Sequence, residues 1–564
     1  MPPLGITIAL GLQFVVLLIA GIILIPTVVV QAAGEGPDYL SWALFASMAM
    51  AGLMTVFQAF RIGCIGSGYI ILMGGSTAFM AMSITALIKG GPTLLAALVA
   101  TSALIPLMIS SKLSLLRKIL TPAVSGTVLM LIPVTMMSVI FDMLTKVPKG
   151  AFSLSGPMSA FVTLAVIITM ALSAKGIFRL CGPVIGIIIG SIVASFFGLY
   201  DIEKVIQASW LGFPEGSWPG LNLEFSKLFW QLLPSFVLVA LIDIIHAVSN
   251  SVAIQRVSWK EERATNFRDV QGTLTASGIG NFICGLLGVI PNSIRPTSVS
   301  VTELTGVASR SVGVATGLIL IVLAFFPKAV AVVLAIPGPV VAAYLLTVLS
   351  LLFVTGMKYA LQGEIDNRNA LIVGVSFCIG IGFQNGLILP DYVEDFAGGI
   401  LNSAMTAGGL VAIIMTLSTH LIGPRRHRIE MACNSDAFLE VQGFLDDFVA
   451  RSGWGDAMRD RIKVASEEML LILLWKDWDK REEKKRRLIL KTHKENEQAI
   501  LEFITIADQG NIQDRIALLE KETTLEFSME KEISLRLLNH VASSVRHEQY
   551  HDIDIVTIKV EGID

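Results

Sequence analysis

One acidic residue and one histidine stand inside a long apolar run and could exchange a proton with a ligand. Asp243 and His246 close the stretch Phe236-Val-Leu-Val-Ala-Leu-Ile-Asp-Ile-Ile-His. An ionisable group at membrane depth costs about 2.5 to 3.5 kcal/mol, so it persists mainly where function needs it. In a helix, a spacing of three residues places both side chains on one face. This pair suits proton coupling, and a structural Asp–His pair is the alternative.

Two more ionisable residues, Arg295 and Glu303, lie in or next to a second apolar region. Either could act on a ligand, and Glu303 could also carry a proton. Alternatively, the two could pair with each other or with Asp243.

Two polar segments interrupt apolar runs in positions that correspond between the halves of the chain. One is Met73-Gly-Gly-Ser-Thr-Ala-Phe79, and the other is Asn292-Ser-Ile-Arg-Pro-Thr-Ser-Val-Ser300. Backbone freed from a helix at membrane depth must line a cavity or be buried in protein, and half-helix N-termini offer N–H donors. The sequence therefore predicts a substrate site, with close packing of small residues as the alternative. Its residues are Asp243, Arg295, Ser76, Thr77, Thr297, Ser298 and Ser300.

The elements that must position these residues are membrane helices. The 564-residue chain is 54% hydrophobic and 15% charged, with a mean hydropathy of +0.71, which excludes an ordinary soluble enzyme. Apolar stretches recur up to Ile422 and divide into about fourteen spans, which suggests a seven-plus-seven inverted repeat. The net charge of −3 gives no indication of a nucleic-acid partner.

Basic residues indicate the orientation of these spans. With fourteen spans, most Lys and Arg in the loops fall on the side of the two termini. The positive-inside rule then predicts cytoplasmic termini in an inner or plasma membrane. The first apolar run, Gly5 to Val30, is too long for a signal peptide and is expected to be retained.

Several motifs within residues 5 to 422 together resemble the nucleobase-ascorbate transporter family, which includes bacterial uracil and xanthine permeases. They are Gly11-Leu-Gln-Phe with Pro26, Gly66 to Phe79, Thr121 to Thr127, Phe267-Arg268 with Gly278-Ile-Gly-Asn281, Thr305 to Arg310, and Asp366 to Asn369. The resemblance implies a core domain that carries the substrate, a gate domain that supports a homodimer, and uptake coupled to protons or sodium. It also places Asp243 at the position of a substrate-binding glutamate, one methylene shorter.

The chain departs from the family pattern at other site positions. Thr297, Ser298 and Ser300 replace the usual Glu or Gln, Asn and Gly, while Ser277 and Phe14 replace an aspartate and a histidine. Hydroxyl groups beside Arg295 at helix N-termini are typical of anion binding. A second hypothesis is therefore another small anion, as carried by sulfate-permease-type transporters, which look similar in overall architecture.

The last part of the chain, residues 425–564, is predicted to be a separate cytosolic α+β domain after a membrane domain of residues 1–424. Amphipathic helices are predicted at Phe438 to Ser452 and Met458 to Trp475, and a later helix at Ile533 to Val545. The segment resembles the ATP-binding fold of histidine kinases and anti-sigma-factor kinases. That resemblance implies a nucleotide contact by Asp508, Gly510 and Glu468, but Ile472 occupies the position of the usual magnesium-binding asparagine. The sequence thus favours a degenerate regulatory or oligomerising module, with nucleotide as a candidate ligand.

The leading hypothesis is a secondary transporter, not an enzyme, that takes up a nucleobase-like substrate of the uracil, xanthine or urate class. In this hypothesis Asp243 is protonated and bound to substrate in turn. It needs no metal or other cofactor besides its coupling proton or sodium ion. A membrane sensor that signals through the tail to a cytosolic regulatory partner is an alternative of a different class. The expected partners are a small-molecule substrate, membrane lipid and a second copy of the chain.

Overall fold

The computed structural model of the protein describes most of the chain in segments. They are residues 3–113, 121–145, 152, 154–175, 177–200, 202–214, 216–221, 225–259, 263–361, 367–388, 404–422, 427–432, 437–474, 487–495, 498–505, 511–521, 529–551 and 553–561. The chain forms two compact units. The membrane unit comprises residues 1–258 and 269–418, and the tail unit comprises residues 259–268 and 419–564. The expected boundary between residues 424 and 425 lies outside the described residues.

Among the described residues up to residue 422, the regular elements are helices apart from two three-residue strands, β1 (Met73–Gly75) and β2 (Asn292–Ile294). The helices before β2 are α1 Leu4–Ala33, α2 Pro37–Ala59, α3 Met80–Ser110, α4 Pro122–Thr145, α5 Ser155–Ser173, α6 Ile177–Phe196, α7 Ile202–Gln207, α8 Lys227–Ser258 and α9 Phe267–Leu286. Those after β2 are α10 Thr297–Thr305, α11 Arg310–Ala324, α12 Pro327–Leu334, α13 Gly338–Ala360, α14 Asn367–Gln384 and α15 Ala404–Ile422.

Seven of the helices in the described segments are long and apolar enough to cross a membrane, or eight if α11 and α12, bent by 84°, form one broken span. Three shorter apolar helices are Cys181–Phe196, Arg368–Gln384 and Ala404–Thr419. In addition, α3 contains a non-helical residue, Gly91, with φ of 70° directly before Pro92. The fourteen-span arrangement stays a prediction.

Proline and glycine set the local breaks. Gly34 takes the left-handed conformation that ends α1, and Pro37 starts α2, where a missing N–H costs nothing. Pro26 lies inside α1 and removes one helical hydrogen bond.

Small residues allow close helix contacts in the membrane unit. A methyl group on Gly52 of α2 would lie 2.5 Å from the Gly317 oxygen of α11, and the reverse distance is the same. Likewise, a methyl group on Gly356 of α13 would lie 2.9 Å from the Gly126 oxygen of α4. Without a hydrophobic driving force between helices in lipid, such close approach provides the van der Waals contact.

In the tail unit, five antiparallel strands form a sheet in the order β3-β4-β5-β7-β6. The strands are β3 His427–Ala432, β4 Arg487–Glu495, β5 Gln498–Thr505, β6 Ser544–Gln549 and β7 Asp554–Glu561. The described part of the tail also contains four helices: α16 Ala437–Ser452, α17 Asp456–Leu474, α18 Ile512–Lys521 and α19 Met529–Val541. Helices and strands share one core that includes Leu445, Ile462, Leu490, Phe503 and Val556.

The helix expected up to Val545 ends earlier, at Val541. Ser543 donates two hydrogen bonds to the Lys559 carbonyl, from its backbone N–H at 2.8 Å and its hydroxyl at 3.1 Å. Strand β6 then pairs with β7, beginning at Ser544 opposite Lys559. Pairing with a distant strand therefore overrides the helical pattern of this segment.

Candidate functional site

The two polar segments singled out from the sequence lie against each other. β1 and β2 pair antiparallel, with Met73 opposite Ile294, Gly74 opposite Ser293 and Gly75 opposite Asn292. The pairing extends beyond both strands, because Arg295 N donates to the Leu72 carbonyl and Ser76 N donates to the Pro291 carbonyl, both at 2.9 Å. Backbone groups that have no partner within a helix thus find partners in each other.

An asparagine pair fixes the position of β2. Asn281 of α9 donates from its amide nitrogen to the Asn292 carbonyl at 2.9 Å and accepts from the Asn292 N–H at 2.8 Å. The Asn292 side chain is itself buried and lies 3.6 Å from the sulfur atoms of Met54 and Cys284. Asn281 therefore ties the end of one helix to the strand that follows it.

A small cavity lies between α3, α8, α9 and the segment before β2. Its lining is largely apolar, and Asp243 supplies its carboxylate. The lining residues are Phe79, Val99, Ser102, Ala103, Pro106, Ala240, Asp243, Asn281 and Pro291. The Phe79 ring packs at 5.9 Å from the Phe236 ring of α8. A carboxylate, an amide and an aromatic ring thus line the same small cavity.

Arg295 follows β2 and holds backbone rather than projecting freely into the cavity. Its guanidinium donates to the Gly75 carbonyl and, at 3.4 Å, to the Gly21 carbonyl of α1. A methyl group on Gly21 would lie 3.5 Å from this guanidinium and 3.4 Å from the Tyr344 hydroxyl of α13. Arg295 also interacts electrostatically with Asp243 and Tyr344. The arginine thus supplies a fixed positive charge beside the strand crossing.

The hydroxyl residues occupy different environments around this crossing. Ser76 is fully buried and Thr77 half-buried in the connection between β1 and α3, so neither belongs to the helix, which begins at Met80. Thr297 is the first residue of α10. Ser298 is buried and donates its hydroxyl to the Arg295 carbonyl at 2.6 Å, while Ser300 is half-buried.

The residues considered for proton coupling are also spread out. Asp243 and His246 are half-buried and lie one turn apart on α8. Glu303 is exposed near the end of α10. Among the ion pairs of the described residues, none joins Glu303 to Arg295. Of the suggested pairings, Arg295 with Glu303 is therefore not found, whereas Arg295 does interact electrostatically with Asp243.

In the tail, Glu468 is half-buried on α17, whereas Asp508 and Gly510 lie outside the described residues. The described part of the chain holds no group of three or more His, Cys, Asp and Glu placed to bind a metal ion.

The sequence reasoning missed three residues of this site. Phe79 and Asn281 occur in family motifs, but nothing in their spacing assigns them to the cavity. Tyr344 is a single polar residue in an apolar run, a weak signal that only its packing beside Gly21 turns into a site contact.

Aromatic side chains also cap the end of α9, directly before β2. Trp218 and Trp42 donate their indole N–H groups to the Leu286 and Leu287 carbonyls at 2.9 and 2.8 Å. The Tyr39 hydroxyl donates to the Gly288 carbonyl at 2.8 Å. Carbonyls at a helix end have no intrahelical partner, and these donors satisfy them.

Comparison with known proteins assigns this membrane unit to a family. A family model described as Permease family, which represents xanthine and uracil permeases, matches residues 5–388. The chain belongs to this permease family. Membership confirms the nucleobase-ascorbate transporter resemblance over that range and identifies a multi-pass membrane transporter rather than an enzyme.

The match covers most of the length of the permease relatives. The xanthine permease XanP of Escherichia coli K12 is 29% identical over 74% of this chain and 92% of its own. The uric acid permease PucK of Bacillus subtilis is 26% identical over 72% of this chain and 94% of its own. The solved structure of SLC26A9 aligns with a TM-score of 0.53 at 9% identity, over 76% of this chain and 68% of that one, which shows a shared fold alone.

Proposed function

We propose that the protein is a proton-coupled carrier for uptake of a nucleobase-like compound of the xanthine, urate or uracil class. The observation that carries this proposal is the placement of Asp243 in the lining of one small cavity with Phe79 and Asn281. A carboxylate accepts hydrogen bonds from ring N–H groups, an amide both donates and accepts, and a phenyl ring stacks on a planar heterocycle. The names of the permease relatives support the same substrate class.

The proposed architecture is that of an inverted repeat of fourteen spans, in which a core domain moves against a gate domain within a homodimer. Two equivalent segments, β1 and β2, cross antiparallel, and each leads into a helix, α3 or α10. Such paired interruptions at the midplane are characteristic of inverted-repeat carriers. Cytoplasmic termini are part of this proposal and follow from the loop charges.

The tail is proposed to be a degenerate ATP-binding-like module that regulates or oligomerises rather than catalyses. Supporting this, Ile472 on α17 is buried in the hydrophobic core, where a magnesium-binding asparagine would be expected for phosphoryl transfer.

The deciding experiment is uptake of radiolabelled xanthine, urate and uracil into proteoliposomes with an imposed proton gradient. Asp243→Asn removes the charge and the proton while keeping the size, and we expect at least a hundredfold loss of gradient-driven uptake. Asp243→Glu restores the family residue and should retain uptake. Ser235→Ala on the same helix, which breaks a hydroxyl contact with Thr406, is the matched control and should transport normally. Full uptake by Asp243→Asn refutes the proposal.

A second candidate function, transport of another small anion, is favoured by the positive charge of Arg295 near Asp243. Thermal stabilisation of the purified protein separates the two. A ligand at a hundred times its Kd adds about 2.7 kcal/mol to stability. Stabilisation by sulfate or small carboxylates, with none by xanthine or uracil, would replace the nucleobase proposal with the anion.

A further inference from the structure

The segment of residues 259–268 joins α8 to α9, includes the first two residues of α9 and belongs to the tail unit, although the membrane unit flanks it on both sides. We call this segment the α8–α9 loop. Residues 259–268 cluster with residues 419–564, whereas α8 up to Ser258 and α9 from Asp269 cluster with the membrane helices. Within this loop the structure describes residue 259 and residues 263–268. A short segment of the first part of the chain is therefore packed into the fold of the tail.

Backbone and ring contacts hold this loop. Ala264 N donates to the Asp514 carboxylate in the first turn of α18 at 2.5 Å. The ring of Phe267 lies 5.1 Å from the ring of Tyr550, tilted by 30°. Tyr550 is 3% exposed, so its ring is buried in this arrangement.

A buried carboxylate forms the centre of the contact. Asp554, the first residue of β7, is 1% exposed. Arg268 lies 3.8 Å from one of its oxygens, and His547 of β6 lies 3.7 Å from the other. Arg268 also donates to the Tyr550 carbonyl at 3.2 Å. A desolvated carboxylate requires partner charges and hydrogen bonds, so the loop supplies a cation that the tail fold needs.

The same loop joins the two helices that carry the candidate site. Asp243 lies on α8, and Asn281, which holds β2, lies on α9. Motion of these helices during transport has to move the loop between them, and the loop is fastened to the sheet of the tail. We propose that the α8–α9 loop is an internal docking site through which the tail restrains the two site helices and slows transport. The proposal rests on the proposed function, because the uptake measurement that tests it requires that the protein transports xanthine.

The test uses the full-length protein in proteoliposomes and measures initial uptake of radiolabelled xanthine. Arg268→Ala removes the cation beside Asp554, and Asp514→Ala removes the acceptor of Ala264 N from the tail side. Each variant is expected to raise the maximal uptake rate at least threefold at an unchanged KM, because the restraint is released while the ligand site is intact. Arg546→Ala, an exposed arginine next to His547 on β6, is the matched control and should behave as wild type.

Hydrogen exchange of the same proteins gives a readout that does not depend on the substrate. In both variants, we expect exchange to rise at least threefold in residues 250–258 and 269–275 as well as in β6 and β7. If hydrogen exchange shows that the loop has left the tail but uptake is unchanged or slower, the proposed restraint on transport is wrong. If wild type takes up no nucleobase, the proposed function fails by itself. Hydrogen exchange alone then tests the docking proposal. A rise in exchange that is confined to β6 and β7 would show that the tail does not restrain α8 and α9.

Discussion

The strand pair beside the candidate site is held by different means on its two sides. The segment leading to β1 depends on glycine: Gly66 and Gly68 have φ of 82° and 77°, and Gly66 fits against backbone oxygens of Phe57 and Phe60. β2 depends on side chains instead, with Asn281 bonded to Asn292 on both backbone groups. The two strands thus reach their paired position in different ways. Glycines without a side chain leave room on the β1 side, and side-chain hydrogen bonds hold the β2 side. Substitutions should therefore act through sterics around β1 and through lost hydrogen bonds around β2.

The largest effect is expected for Gly66→Ala. The new methyl group would clash with the Phe57 and Phe60 oxygens in a left-handed backbone, so strain and overpacking together should cost about 3 to 5 kcal/mol. Folded yield and apparent melting temperature in detergent measure this loss. Gly306→Ala is the control, because its φ is 64° with open space around it, and it should cost only about 1 kcal/mol. Equal effects of the two variants would show that the clash at Gly66 does not matter.

For β2, the substitution Asn281→Ala on α9 should destabilise the protein by about 2 to 4 kcal/mol, since it leaves the buried N–H and carbonyl of Asn292 unpaired. The loss is measured as a lower melting temperature and reduced uptake. Asn250→Ala, which removes a single bond to the His246 carbonyl, should cost much less. A similar small change for both would mean that relaxation of β2 restores its bonds.

Two adjacent glycines of β1 differ in how much room they leave for an added methyl group. A methyl group on Gly74 would lie 2.9 Å from Arg295 Nε and 3.2 Å from Ile22, whereas on Gly75 its contacts begin at 3.4 Å. Gly74→Ala should therefore cost about 1 to 3 kcal/mol and displace Arg295, while Gly75→Ala should cost less than about 1 kcal/mol. Melting temperatures of the two variants measure this difference. A larger loss for Gly75→Ala than for Gly74→Ala would contradict the strand register.

The smallest effect is expected for Ser298→Ala, which removes the hydroxyl bond to the Arg295 carbonyl and should cost about 1 kcal/mol. Ser300→Ala should leave stability unchanged and, if Ser300 contacts substrate, raise KM for uptake. Thermal unfolding and uptake kinetics measured on the same preparations separate these outcomes. A stability loss for Ser300→Ala equal to that for Ser298→Ala would remove the distinction between them.

The sequence patterns singled out Asp243 and the two polar segments but not the contacts that they make. Asp243 could be found because one carboxylate in an apolar helix is conspicuous, and both polar segments because they interrupt hydrophobic runs. Arg295 was expected to face an anion, yet its guanidinium holds the carbonyls of Gly75 and Gly21. An arginine in a sequence reveals its charge but not its acceptors, which here come from residues more than two hundred positions away.

In the tail, local pattern predicted helices α16 and α17 within a residue or two, since their apolar faces repeat with the helical period. It failed at Val545, where pairing with β7 decides the structure. The inclusion of the α8–α9 loop in the tail unit had no sequence signal at all.

The sequence alone determined the membrane character of this protein, its permease family and the presence of a carboxylate, Asp243, in an apolar run, because composition, hydrophobic run length and motif spacing are local properties. Only the tertiary structure decided that β1 pairs with β2, that Asn281 and Phe79 share a cavity with Asp243, and that Arg268 reaches Asp554. Each of these is a contact between segments distant in the chain, formed because buried polar groups must find partners wherever the fold brings them.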